Sequence, residues 1–367
     1  MIKKKKSEKR VGSKNLEEIK NLLEKLSNAH GISGHEKEVR TILEEELKPY
    51  VDEIKTDKLG NLIATKNGEG PSVMIAAHMD EIGFMVKYID DNGFIYFAKS
   101  GGWFDQTLLN QRVVIHSKDK HTIGVVGSKP PHIMKAEEMK KIIEIGEMYI
   151  DIGAKNKKDA EKIGVQVGDT ITLDRKFEAL SNNMVTGKAF DNRAGMVIMI
   201  EAARLLSKLK LKAVVNFVGT TQEEIGLKGA RTAAYALNPD VAIAVDTTIP
   251  GDHPGVEKKH SSLGIGKGPA ITVSDAEGVG IVVAESVLDW MKDSAKIGKI
   301  PYQLSVTEGG MTDAAIMNIT KQGIPSGGIS IATRYIHSPV EVLDLKDLEQ
   351  CAKLIAECIK SAHKYFN

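Results

Sequence analysis

Residues 72–80 read SVMIAAHMD, and the fold follows from how that stretch is built. A short apolar run, 72–77, suits a strand buried on both faces of a sheet. It then breaks into His78 and Asp80. The same texture returns three times. KAVVNFVG (212–219) precedes Glu223 and Glu224, VAIAVD (241–246) closes on Asp246, and GGISIA (327–332), the last predicted strand, precedes His337. Between these runs the apolar spacing is helical. Leu16, Ile19, Leu22, Leu23 and Leu26 mark one helix; Val39, Ile42, Leu43 and Leu47 mark a second, entered through Ser33 and Glu36 as a capping box. Helices are also predicted over 192–209, 277–296 and 345–363. Strands alternating with helices imply an α/β fold, a mixed, largely parallel sheet flanked by helices.

From about Gly83 the pattern changes. GFMVKYIDDNGFIYFA reads as two alternating strands around Asp91-Asn92-Gly93, RVVIHSKDKHTIGVVGS as another hairpin, and DTITLDR as a further strand. Helical patterns are predicted within this block at 136–145 and 157–163. The reading is a β-rich domain, 83–180, inserted into one α/β domain made of 15–82 and 181–367.

Charge divides unevenly along the chain. The 50 basic and 49 acidic residues give a net +1, but residues 1–14 (MIKKKKSEKRVGSK) carry +6, so the rest carries −5. A mildly acidic body argues against a nucleic-acid-binding surface, and 1–14 reads as a basic flexible tail. No apolar run approaches the roughly 18 residues that cross a bilayer, and no signal peptide is visible, so a cytoplasmic protein is expected. Cys351 and Cys358 lie about 10 Å apart along a helix, too far for a disulfide; both should face the core.

In open α/β sheets the carboxyl ends of the strands form the ligand crevice, which is where the polar residues fall. His78 and Asp80, at i and i+2 of an extended chain, point the same way. The carboxylate would hold one ring nitrogen while the other binds a metal. Asp191 opens the 192–209 helix, either as an N-cap or as a carboxylate bridging two cations. Glu223 and Glu224 are either solvated acids or a pair that a cation holds together against like-charge repulsion. Asp246, at the end of a buried strand, would be hard to satisfy without a partner. His337 alone would be an ordinary loop histidine. Together, two histidines and several carboxylates suit Zn²⁺, Co²⁺ or Mn²⁺.

In this order and spacing, His78-x-Asp80, Asp191-Asn192-Arg193-x-Gly195, Glu223-Glu224, Asp246 and His337 resemble the co-catalytic metallo-aminopeptidases of the tetrahedral (TET) type. That family includes glutamyl and deblocking aminopeptidases, some once labelled endoglucanases. The resemblance covers nearly everything after the tail; Gly101-Gly102-Trp103 and 111–115 (QRVVI) fit its PDZ-like dimerisation domain. It implies a zinc-peptidase-like catalytic domain holding two divalent ions, Zn or Co with Mn as a further option. His78 and Asp246 would bind one ion, Glu224 and His337 the other, and Asp191 would bridge them. Asp80 would orient His78, and Glu223 would be the general base acting on a metal-bridged water. A cis peptide is implied at Asp191–Asn192. The family's glycine-rich GG-x-TDA loop stands here as 309–314, with Met311 at its variable position. It makes Gly309, Gly310 and Thr312 candidate substrate contacts, though a tight strand-to-helix turn explains the loop equally well. The implied partners are peptide substrates and the chain itself, as a dimer and a tetrahedral dodecamer.

Two rivals follow from the same residues. Another di-metal hydrolase, a carboxypeptidase or an N-acyl amino acid deacylase, would need a basic clamp, for which Arg193 and Arg334 are available. A non-catalytic protein binding nucleic acid or acidic partners rests on the lysine tail alone.

Overall fold

The computed structural model describes residues 2–118, 120–275 and 280–366, with side chains from Asn15 onward. The expected flexible tail, 1–14, lies outside the described side chains. Helices α1 (Ile2–Asn28) and α2 (Lys37–Leu47) lead into strands β1 (Glu53–Thr56), β2 (Leu62–Lys66) and β3 (Ser72–His78). Six strands follow: β4 (Gly83–Ile89), β5 (Ile95–Ser100), β6 (Arg112–Ser117), β7 (Lys120–Gly127), β8 (Tyr149–Asp151) and, after α3 (Lys157–Ile163), β9 (Thr170–Leu173). The chain then forms β10 (Glu178–Ala179), β11 (Met184–Gly187), α4 (Phe190–Leu206), β12 (Val214–Thr220), α5 (Lys228–Leu237) and β13 (Val241–Thr248). It ends through β14 (Ala270–Ser274), α6 (Glu285–Gly298), β15 (Gln303–Val306), α7 (Asp313–Asn318), β16 (Ser326–Ala332), β17 (Glu341–Asp344) and α8 (Leu345–Ser361).

The main sheet has eight strands in the order β1-β2-β12-β3-β13-β16-β14-β15. Its four central strands, β12, β3, β13 and β16, run parallel, so all four release their carboxyl ends along one edge. The register is tight there: Thr220 pairs with His78 and Asp246 with Ser330. Val73, Met74, Ile75 and Ala76 are sealed from solvent, as expected of a strand covered on both faces. Helix α4 packs on β3, β13 and α8. It is buried along nearly its whole length.

Strands β4 to β9 close into a separate barrel, ordered β4-β5-β8-β7-β6-β9. It has its own core, including Phe84, Ile95, Val113, Ile115, Ile150 and Ile171, which makes it an inserted β-rich domain within an α/β chain. The barrel ends at Leu173. Glu178–Ala179 already pair with β11, which in turn pairs with β17, in a small sheet beside the main one.

Four local expectations are corrected. Ser33 and Glu36 form no capping box: Ser33 donates to Asp80, and Glu36 accepts the amides of Gly34 and Gln222. Residues 136–145 hold no α-helix, only 3₁₀ turns at Glu138–Lys140 and Ile145–Glu147, because Met139 and Ile142 find no surface to bury against and stay exposed. The helix expected from 277 begins at Glu285, after Val282 pairs with Ser274; residues 277–279 lie outside the described residues. The strand containing GGISIA is followed by one more, β17. The two cysteines are free and buried, as expected.

Candidate metal centre

His78 is the last residue of β3 and is only 2% exposed. Its Nε2 lies 3.1 Å from Asp191 Oδ1 and 3.8 Å from Asp246 Oδ1. His337 Nε2 lies 3.4 Å from Asp191 Oδ2 and 3.3 Å from Glu224 Oε1. The two oxygens of Asp191 thus face one histidine each. Glu223 Oε2 stands 4.0 Å from His78 Nε2. Ligand atoms of His78, Glu223 and Asp246 fall within 4.8 Å of one another, as do those of His78, Asp191 and Glu224. All six residues, with Gly309, Gly310 and Thr312, line one cavity of about 360 Å³.

Backbone and buried polar groups hold this arrangement. The Asp191–Asn192 peptide is cis. Asn192 donates to the Val245 carbonyl and accepts the Gly195 amide, which fixes the start of α4 against β13. Asp80 faces the other ring nitrogen of His78. Nδ1 lies 3.0 Å from the backbone carbonyl of Asp80, and the Asp80 carboxylate is 3.5 Å away. That carboxylate accepts the amides of Glu223 and Glu224 and the hydroxyl of Ser33, so it fixes the loop after β12. Glu341, which no sequence pattern marks, accepts the amides of both Asp191 and His337. The barrel also reaches the site: a Cβ on Gly101 would stand 3.1 Å from Glu224 Oε2, and one on Gly102 3.1 Å from His337 Nδ1.

The electrostatics are those of a site built around cations. Burial raises the carboxyls of Glu223, Glu224 and Asp246 above their usual range, and neighbouring carboxylates add to the shift against the pull of the histidines. Burial opposes charge on His337, but hydrogen bonds to Asp191 and Glu224 push it up to about 11. His78 is likewise raised, its burial outweighed by Glu223, Asp191, Asp80 and Asp246. Burial would raise Asp191, yet both histidines hold it low. Among the described residues, protons on the imidazoles are the only positive charge the cluster has of its own. Divalent ions would replace those protons, since imidazole and carboxylate both ligate in the deprotonated form. Glu224 Oε1 is buried with His337 Nε2 at 3.3 Å and no better-formed hydrogen bond, so it is free to turn to a metal. The donor set fits.

The model for M42 glutamyl aminopeptidases matches residues 60–354. The chain belongs to that family. Among similar proteins, the aminopeptidase APDkam598 from the archaeon Desulfurococcus kamchatkensis superposes with a TM-score of 0.90 at 42% identity, covering 94% of this chain and 95% of the other. The lysyl aminopeptidase of Pyrococcus furiosus is 35% identical over 91% of this chain and 94% of its own. The Pyrococcus horikoshii TET1 peptidase, which assembles into a tetrahedron or a large octahedral shell, matches at 32% identity and a TM-score of 0.83 over 93% and 99%. This M42 chain is therefore a peptidase. No helix of its described residues is long and apolar enough to cross a membrane.

Neither candidate basic clamp is available. Arg193 is wholly buried and donates to the carbonyls of Leu26, Ala29 and Gly31 and to Glu81. Arg334 pairs with Asp252.

Proposed function

We propose that this chain is a two-metal aminopeptidase that removes N-terminal residues from short peptides. The observation that carries the reading is Asp191, whose two carboxylate oxygens face His78 and His337 separately. His78 and Asp246 would hold one ion, Glu224 and His337 the other, with Asp191 shared. When bound, such a pair supplies Lewis acidity to the scissile carbonyl and lowers the pKa of the attacking water. Glu223 would take the proton of that water and deliver it to the leaving amine. Asp80 positions Glu223 through the amide it accepts. Gly309, Gly310 and Thr312 line the same cavity and would contact the substrate. Among the described residues no arginine or lysine lines the cavity, so its wall offers no basic side chain for the free carboxylate of a carboxypeptidase or deacylase substrate. The P. horikoshii relative's shells suggest that this chain too assembles with itself.

Glu223→Gln tests the assignment. The variant should retain two metals per chain and lose about 10²–10⁴-fold in kcat, since the group moves a proton and is not a ligand. Loss of metal instead would exchange the roles of Glu223 and Glu224. Chelation should abolish activity, and added Zn²⁺ or Co²⁺ should restore it.

A further inference from the structure

We propose that Asp275 makes the substrate pocket selective for an N-terminal lysine or arginine. The inference rests on the aminopeptidase reading and adds the substrate class. Beyond the metal ligands, the cavity continues towards the ends of β14 and β15. Its polar wall there is made of hydroxyls, Thr247, Thr272, Ser305, Thr307 and Ser330, and one acid, Asp275. The cavity's apolar lining includes Leu227, Ile249, Met311 and Ile336.

Asp275 is 7% exposed and held in place: its Oδ1 accepts the Ile281 amide, and its own amide donates to the Ile281 carbonyl. No lysine or arginine pairs with it among the described residues, and none lines the cavity. Burial pushes its carboxyl above the usual range, against the Ile281 amide. A substrate cation arriving there would meet an acid that has no counter-charge among the described residues and would favour its ionised form. Lysine and arginine match both kinds of lining, an apolar stem ending in a charged head. A glutamate side chain would meet like charge with nothing to offset it, which is a rejecting element as well as a missing attraction. The relatives leave the preference open, since one is named for lysyl and the family for glutamyl substrates.

The test is a panel of lysyl, arginyl, leucyl and glutamyl anilides with the metal-loaded protein. Lysyl and arginyl substrates should exceed leucyl by about 10-fold or more in kcat/KM and glutamyl by about 100-fold. Asp275→Asn keeps the acceptor for Ile281 and should collapse the lysyl-to-leucyl ratio by about 10-fold. A preference for glutamyl or leucyl substrates would overturn the proposal. So would an equal fall for lysyl and leucyl substrates in Asp275→Asn, which would make Asp275 an anchor for the α-amino group common to all. Calorimetric titration of free lysine, leucine and glutamate gives a readout without turnover. Should no anilide be cleaved, the aminopeptidase reading fails on its own. Tighter lysine binding that Asp275→Asn removes would still support the pocket assignment, and equal binding of the three would sink it.

Discussion

Glu341 reaches the metal centre only through backbone. One carboxylate oxygen accepts the Asp191 amide at 2.9 Å and the other the His337 amide at 3.1 Å, so a single buried side chain sets the separation of two proposed ligands. His337 needs such a hold, because its φ of 59° lies in the left-handed region that residues with a Cβ adopt at a cost. Glu341→Gln replaces one acceptor with an NH₂ that can only donate and would face an amide N–H. Metal affinity should fall about 10–100-fold, as it does when groups that orient ligands are lost. Competition against a chromophoric chelator measures this, and an unfolding curve close to wild type would show that the loss is local.

At the scale of elements, the end of α1 meets the barrel through a chain of rings. His30 Nδ1 and His116 Nε2 both lie 2.8 Å from the Thr172 hydroxyl, and His116 Nδ1 lies 2.9 Å from His121 Nδ1. Burial holds His30 down to about 3, with Lys188, His116 and Arg193 adding to it and Glu81 opposing. Burial holds His116 down to about 4, with His121 and Lys188 adding and Glu81 again opposing. An unfolded chain binds protons at both rings below about pH 6.5, where the folded chain refuses them. Their stabilisation is thus complete above pH 6.5 and lost as the pH falls towards 4 and then 3. The melting temperature should drop across that window, and the drop should be shallower in a His30→Asn, His116→Gln double variant that keeps the hydrogen-bonding atoms. None of this was legible in the sequence, since the three histidines sit just after α1, on β6 and on β7, and meet only through the inserted domain. The catalytic strands were legible for the opposite reason. Each is a local apolar run, and parallel packing then forces their carboxyl ends, with His78, Glu223, Glu224 and Asp246, onto one edge. Glu341 and Asp275 left no signal because what matters about them is which distant amide or cavity they face. The 136–145 pattern misled because periodicity describes a face and cannot supply the surface that would bury it.

Across the whole molecule, the barrel borders the proposed catalytic site and also carries exposed apolar residues suited to a partner. The approach of Gly101 and Gly102 to Glu224 and His337 leaves little room for a side chain between the barrel loop and the proposed metal ligands, so a shift of the barrel would disturb the site. On the barrel's flank, Ile133, Met139 and Ile142 are 67%, 58% and 54% exposed within ten residues of turn-rich chain. Burying a large apolar side chain contributes about 1.5–3 kcal/mol, so a segment that leaves three of them in water suits an interface between copies. A closed shell also needs every subunit to present the same patch, and an inserted domain standing outside the main sheet can do so without altering the catalytic core. If this segment joins subunits, light scattering on the wild type should give a closed particle, about 480 kDa for a dodecamer of the 39.9-kDa chain. Replacing Ile133, Met139 and Ile142 together by serine should reduce that mass to a dimer or monomer while the melting curve of the subunit stays close to wild type, because none of the three belongs to the barrel core. A particle of unchanged mass would move the interface to another face of the barrel or off it altogether.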